Sequence, residues 1–297
     1  MRRKNWALPL LLAGLLLSGC CAGTEPNAAS PETSASPSPA GSASAETVGG
    51  QTAGLPEPIP VEPFTVPAET AEGQKPEKSW KLPTREVELY EAEGQEISLL
   101  AQTEDGAAAF YALAEEDSLL LRWDGSLAQF RWNDRTPRCI SPQLWRTDAD
   151  GDGEDELAVS CYAGSGTGVS VWELHIVERS ADGTLTGYTL PSAVWWETLS
   201  PLLRVERNGG RWYAMLDREL VDITDKLPED TEPEGLRCGD YIHFAPADGA
   251  VAVMAAAWLA GEGLLPAVCY AVDVQAEITC RDGAFTVQAF HLNVLED

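Results

Sequence analysis

The sequence predicts a mainly β domain, either an antiparallel sandwich or a barrel-like sheet, with one or two short helices. Short apolar or alternating segments recur from residue 80 to the C-terminus, and Asn-Gly or Asp-Gly dipeptides separate several of them. Asn208-Gly209 lies between apolar residues, which is the strongest short-range signal for a hairpin. Because helical periodicity is rare, these patterns together favour antiparallel strands.

The expected strands follow one another closely along the domain. They include EISLLAQ, SLLLRW, ELAVSCYA, VSVWELHIVE, RWYAML, GDYIHFA and the final hairpin EITCRDGAFTVQAFHL. The best helical candidate is SAVWWETLSPLL, residues 192–203, in which Ser192 can cap a helix and Pro201 can end it.

The N-terminus has the features of an export signal. A basic start, MRRK, precedes the apolar stretch WALPLLLAGLLL, which is too short to cross a membrane. The following LSGC, ending at Cys20, resembles the lipobox of bacterial lipoproteins. That resemblance implies a signal peptide at 1–19 and acyl chains such as palmitate on Cys20, which would anchor the protein to the extracytoplasmic face of the bacterial cell membrane. The alternative is an ordinary secretory signal with a chance cysteine.

Residues 20–79 are predicted to form a disordered tether, and residues 80–297 the mainly β domain. The first part of the tether is rich in Ser, Ala, Pro and Thr and has almost no bulky apolar residues. Such a segment buries too little surface to offset the entropy lost on ordering. The Pro-rich stretch LPEPIPVEP should be stiffer than the Ser/Ala-rich part.

The charge of the chain excludes some classes of partner. The formal net charge is −27, and removal of the three basic residues of the signal peptide changes it to −30. This charge argues against nucleic acid as a partner, because its phosphates need cationic contacts. A surface of this charge also attracts divalent cations.

The cysteines do not indicate a zinc site. The seven cysteines form no CxxC pair, and the chain has only three histidines. Five cysteines fall in the domain, which is an odd number, and most lie within apolar segments. They are expected to be small buried residues, although export permits disulfides.

Residues 148–156 concentrate six carboxylates and two glycines in nine positions. Carboxylates at positions 1, 3 and 5 can converge on one ion while the backbone curls, and a glycine at position 6 permits the bend. Position 7 can offer its carbonyl and position 9 its carboxylate. This all-oxygen set is typical of Ca²⁺, and the alternative is a solvated acidic turn without an ion. The candidate ligands are Asp148, Asp150, Asp152, Glu154 and Glu156.

The flanking residues do not fit an EF-hand, because position 12 is Val159 in a strand-like run. The segment 145–178, WRTDADGDGEDELAVSCYAGSGTGVSVWELHIVE, instead resembles the calcium loop of FG-GAP and VCBS repeats, which joins strands. The resemblance implies side-chain ligation by Asp148, Asp150, Asp152 and Glu156, carbonyl ligation by Glu154, and an outward-facing Asp155. A small β-propeller is the alternative fold, but the motif occurs once and a propeller needs at least four blades.

The sequence offers no recognisable catalytic motif. GSGTG at 164–168 lacks the lysine of a phosphate-binding loop, and the three histidines are far apart without a GxSxG nucleophile. Most of the ten tryptophans are expected in the core. Trp195 and Trp196 are candidate ligand-binding residues, because adjacent rings in a strand cannot both face one core.

These features predict a membrane-anchored, extracytoplasmic, calcium-binding lipoprotein with a binding or structural role at the cell surface and no catalysis. Two alternatives stay open: a calcium-stabilised cell-surface hydrolase acting on glycan or peptide, and an accessory or sensor subunit of an envelope complex. The expected partners are the membrane, through the lipid on Cys20, and a cell-wall glycan or an envelope protein.

Overall fold

The computed structural model describes residues 55–87, 89–92, 94–113, 118–132, 140–228, 231–262, 264 and 269–295. These residues belong to one compact unit, Thr52–Asp297. The unit is mainly β, as the sequence predicts.

The strands are β1 (Phe64–Pro67), β2 (Glu69–Glu72), β3 (Ile97–Gln102), β4 (Ala108–Leu113), β5 (Ser118–Trp123), β6 (Ser126–Phe130), β7 (Gln143–Thr147), β8 (Glu156–Gly166), β9 (Val169–Arg179), β10 (Leu185–Thr189), β11 (Arg204–Asn208), β12 (Arg211–Leu216), β13 (Glu219–Asp222), β14 (Gly235–Ala247), β15 (Ala250–Ala260), β16 (Tyr270–Arg281) and β17 (Ala284–Val294). The helical segments are α1 (Leu89–Ala92), a π-helix (Val194–Leu199) and 3₁₀ turns at Ser200–Leu202 and Thr224–Lys226.

A ten-stranded sheet forms most of the domain and nearly closes into a barrel. Its order is β1-β17-β16-β15-β14-β9-β10-β2, with β8 paired to β9 and β7 paired to β8. Only Ala68 separates β1 from β2, yet the first pairs with β17 and the second with β10. One short segment of chain therefore lies at both edges of the sheet. The pairing is antiparallel except between β14 and β9.

The main hydrophobic core lies on one face of this sheet. Inward-facing residues alternate along β16 and β17, as expected for strands with one buried face. The three-stranded sheet β11-β12-β13 and the π-helix add further buried residues. Representative members are Leu174, Ile176, Trp195, Leu199, Ala214, Val253, Ile278 and Phe285.

Strands β8 and β9 are buried on both faces. Leu174 and Ile176 point to the main core, whereas Leu157 and Val159 pack against the four-stranded sheet β3-β4-β5-β6 in a second core. This arrangement explains why residues 157–159, LAV, are apolar in succession rather than alternating with polar residues, since both faces of this part of β8 are buried.

The predicted boundary of the tether at residue 79 is wrong for the described part of that segment. Residues 64–72 form β1 and β2, and Phe64 stacks on Phe290 with ring centroids 5.8 Å apart. Gly73 then passes so close to β6 that an added Cβ would lie 2.6 Å from Ala128 Cβ. The β-propeller alternative is also wrong for the described residues, because ten strands form one sheet rather than separate blades.

The described cysteines agree with the prediction of small buried residues. Cys161, Cys238, Cys269 and Cys280 are all buried. Burial raises the pKa of Cys280 to about 12, so this thiol is protonated at neutral pH. Cys139 lies outside the described residues.

Removal of the N-terminal edge segment tests the corrected boundary. A chain that begins at Trp80 is expected to lose roughly 3 kcal/mol or more of unfolding free energy, because Phe64 and Val66 pack partly buried against the main core. Urea unfolding of this chain, compared with one that begins at Leu55, measures the difference. Equal stability of the two chains would show that β1 and β2 are dispensable.

Candidate functional site

The acidic loop is the tip of the hairpin formed by β7 and β8, whose last ladder pair is Thr147 with Glu156. Two hydrogen bonds hold the start of the loop against the ends of neighbouring strands. Thr147 Oγ1 donates to the Ala250 carbonyl at 3.3 Å, and the Cys280 N–H donates to the Ala149 carbonyl at 2.9 Å. Ala149 itself is fully buried. The loop is therefore fixed to β15 and β16 at its start.

Backbone N–H groups inside the loop organise its carboxylates. Gly153 N donates to Asp148 Oδ2 at 3.2 Å, and Asp152 N donates to Asp150 Oδ1 at 2.9 Å. Glu154 N donates to Asp152 Oδ1 at 2.7 Å. Each of these aspartates thus turns one oxygen toward the loop backbone, which orients its carboxylate.

The glycines permit this curl of the chain. Gly151 and Gly153 have φ values of 76° and 93°, in the left-handed region that favours glycine. The bend at Gly153 is the one that the sequence predicts at position 6. A residue with a Cβ would be strained at either position.

Three of the five predicted ligands come together. Carboxylate oxygens of Asp148, Asp150 and Glu156 all lie within 4.8 Å of one another. These three residues form the carboxylate cluster. Asp152 and the Glu154 side chain lie outside it. Asp148 Oδ1 is buried and has no hydrogen-bond partner among the described residues. Such an atom is an acceptor that neither protein donors nor solvent satisfy.

Glu156 is the most enclosed member of the carboxylate cluster, with 6 % of its surface exposed. Its Oε2 accepts the Ala149 N–H at 2.6 Å. Burial raises the pKa of Glu156 to about 7, the Ala149 N–H opposes this, and the Asp150 and Asp152 carboxylates raise the pKa further. The cluster therefore disfavours full ionisation in the absence of a positive charge.

Two arginines contact the loop without neutralising the cluster. Arg146 Nη2 lies 3.0 Å from Asp155 Oδ2, and its Nη1 lies 3.2 Å from Asp105 Oδ2. Asp155 thus faces outward, as the sequence predicts. Arg281 donates to the Asp150 backbone carbonyl. Within the described residues, no Lys or Arg nitrogen lies within 4.0 Å of a cluster carboxylate.

An open acidic cleft of about 570 Å³ adjoins the carboxylate cluster. Asp150 and Glu156 lie in its wall together with Glu178, Tyr188 and Asp282. The Tyr188 hydroxyl donates to Glu178 Oε2 at 3.0 Å. Burial raises the pKa of Glu178, the Tyr188 hydroxyl lowers it, and the Asp150, Asp282 and Asp152 carboxylates raise it. Negative charge from three separate parts of the chain therefore converges on this cleft.

The tryptophan pair is divided between core and surface. Trp195 is 2 % exposed and packs near Phe244 with ring centroids 6.1 Å apart, so its prediction as a ligand-binding residue is wrong. Trp196 is 49 % exposed and lies over Gly239, and its role stays a prediction. The segment forms a π-helix followed by a 3₁₀ turn, in which Pro201 lies inside the turn.

Sequence reasoning missed the arginines that contact the loop. Arg146 directly precedes the acidic segment, so its pairing with a loop carboxylate could have been anticipated from charge alone. Arg281 gave no such signal, because it lies 131 residues from Asp150.

Cys20 and the signal peptide lie outside the described residues.

Comparison of the chain with protein-family models, curated proteins and solved structures gave no match. Among the described residues, no helix has the length and apolar character needed to span a membrane. The likeness to FG-GAP and VCBS loops therefore rests on the motif at 145–178 alone.

The different burial of the two tryptophans gives a direct prediction. Trp195→Ala is expected to lower the free energy of unfolding by about 3–5 kcal/mol, because it empties a large volume in the core. Trp196→Ala is expected to cost no more than about 1 kcal/mol. Urea denaturation of both variants measures the difference. Equal losses would contradict the assignment of Trp195 to the core.

Proposed function

We propose that this chain is a lipid-anchored, extracytoplasmic bacterial protein whose mainly β domain binds Ca²⁺ in the loop 148–156. Its role is binding or structural work at the cell surface, without catalysis. The observation that carries the calcium proposal is the carboxylate cluster, in which three carboxylates converge while the nearby arginines contact other groups.

The donor set fits a hard divalent cation. All three cluster residues offer oxygen, and within the described residues no other group of three or more His, Cys, Asp or Glu side chains is close enough to hold a metal. Carboxylate oxygen suits Ca²⁺ or Mg²⁺, whereas zinc sites usually contain Cys or His. Ca²⁺ accepts six to eight ligands in flexible geometry, and this suits a loop that adds backbone carbonyls and water to its carboxylates.

The buried oxygen of Asp148 provides a second test of the fit. An acceptor that is shielded from solvent and unpaired is costly unless a positive charge meets it. A cation between Asp148, Asp150 and Glu156 would satisfy this oxygen and offset the repulsion among the three carboxylates. Asp152 and Glu154 support the site through the loop backbone, where the Glu154 N–H binds Asp152.

The ion's expected contribution is structural. Glu156 is the first residue of β8, and its neighbours Leu157 and Ala158 enter the second and the main core respectively. A cation that fixes Glu156 would therefore stabilise the strand shared by both cores. Binding adds about 2.7 kcal/mol when free Ca²⁺ is a hundred times Kd. Extracellular calcium sites often have Kd values of about 10⁻⁴–10⁻³ M.

The anchoring proposal rests on the LSGC motif ending at Cys20. Acyl chains there would hold the domain at the membrane surface, and the acidic surface would disfavour flat adsorption on anionic lipid. A cell-wall glycan or an envelope protein is the proposed class of partner, which suits a tethered domain outside the membrane.

Calcium titration of melting temperature tests the site. Saturating Ca²⁺ is expected to raise the melting temperature of the wild type by about 5–10 °C, the shift that corresponds to a few kcal/mol in a domain of this size. Asp150→Ala should abolish most of this rise, because it removes a cluster carboxylate.

Asp155→Ala is the matched control, because it removes the same charge from the same loop but from a residue paired with Arg146. It should keep most of the calcium response. The proposal fails if the wild type shows no rise at millimolar Ca²⁺, or if both variants respond alike.

Adjacent cysteines give a matched test of anchoring. In a bacterial host, the Cys20→Ser chain is expected to lose incorporation of labelled palmitate and to leave the membrane fraction, whereas Cys21→Ser should keep both. The measurement is membrane fractionation with fatty-acid labelling. Labelling that persists in Cys20→Ser would refute the proposed anchor.

A further inference from the structure

We infer that Arg281 is a positioning residue for cation binding, which holds the acidic loop in its ligating conformation from the far end of β16. This inference rests on the proposed calcium function. Arg281 is the last residue of β16 and is not a ligand itself, because its guanidinium is cationic.

Two consecutive residues of β16 hold two consecutive carbonyls of the loop. The Cys280 N–H donates to the Ala149 carbonyl at 2.9 Å, and the Arg281 guanidinium donates to the Asp150 carbonyl. A Cβ added to Gly151 would lie 3.8 Å from Arg281 Nη2, so the Arg281 side chain also lies beside the next residue of the loop. The loop backbone is thus fixed at positions 2 and 3 by a strand 131 residues away.

The contact determines which oxygens of Asp150 are available. Its carbonyl is turned toward β16, while its carboxylate faces the cluster and accepts the Asp152 N–H at 2.9 Å. If Arg281 is lost, the peptide group between Asp150 and Gly151 has lost its charged donor. Because Gly151 permits many backbone conformations, the loop can then leave the conformation in which the Asp150 carboxylate meets Asp148 and Glu156.

Simple electrostatics predicts the opposite effect of Arg281 on cation binding. A guanidinium beside a cation site repels the ion, so removal of its charge alone should strengthen binding. A positioning role predicts weaker binding when the side chain is removed. The sign of the change in affinity therefore separates the two roles.

The experiment is Ca²⁺ titration by calorimetry on the full chain, in wild type and in Arg281→Met, Arg281→Lys and Arg179→Met. Arg281→Met is expected to raise Kd about tenfold or more, the usual effect of losing a group that orients a metal ligand. Arg281→Lys should recover part of this loss, because its ammonium can still donate to one carbonyl. Each variant's melting temperature without calcium is measured as well.

Arg179→Met is the matched control. Arg179 is exposed, lines the same acidic cleft and, within the described residues, donates no hydrogen bond to the loop. Its removal should leave Kd unchanged or lower. Weaker binding in Arg281→Met with no weakening in Arg179→Met supports the inference.

The other outcomes overturn it. Unchanged or tighter binding in Arg281→Met would reduce Arg281 to a surface charge, while the proposed calcium function stands. Equal weakening of Ca²⁺ binding in Arg281→Met and Arg179→Met would show that the effect is not specific to the contact between Arg281 and the loop. A lower melting temperature without calcium at unchanged Kd would make the role purely structural. Failure of the wild type to bind Ca²⁺ removes the proposed function itself.

Discussion

Three carboxylates whose oxygens lie within 4.8 Å of one another repel one another when they are ionised, and in a partly buried loop water screens this repulsion less than at an open surface. This constraint underlies our interpretation of the site. The protein contains arginines close enough to supply a compensating positive charge, yet Arg146 pairs with Asp155 and Asp105, and Arg281 contacts a carbonyl. Two ways to relieve the repulsion remain. One is protonation of Glu156, which its raised pKa favours, and the other is binding of a cation. The second solution also satisfies the buried oxygen of Asp148.

The position of the loop gives such a cation influence over the whole domain. Strand β8 starts at Glu156 and lies between the barrel-like sheet and the four-stranded sheet, so consecutive residues after the cluster enter different cores. The loop also contacts β15 and β16 through Thr147 and Ala149. An ion there would hold together segments that are distant in sequence. This is the arrangement expected of a structural calcium site, in which binding energy contributes to folding.

Local features of the structure could be predicted from the sequence, because they depend on residues close together in the chain. Alternation and Gly-containing turns predicted the strands, since a strand with one buried face imposes a period of two. The acidic loop could be recognised from the sequence because its nine residues are contiguous. Burial of both faces of β8 explains why Leu157, Ala158 and Val159 are apolar in succession rather than alternating with polar residues.

Features that depend on distant residues could not be predicted. Phe64–Pro67 becomes a strand because the edge of β17, near the C-terminus, supplies its hydrogen bonds, and its own composition resembles a linker. The burial of Trp195 depends on a π-helix, whose side-chain period differs from that of a strand or an α-helix. The contact between Arg281 and Asp150 has no local signature at all. Asp152 followed the expected spacing but its carboxylate lies outside the cluster.

A crystal structure of the domain grown with ample Ca²⁺ tests the central claim most directly. We expect one anomalous peak between Asp148, Asp150 and Glu156, with oxygen ligands at about 2.3–2.6 Å and at least six of them. Ordinary water at that position, with the three carboxylates turned away from one another, would contradict the assignment of the loop as a calcium site.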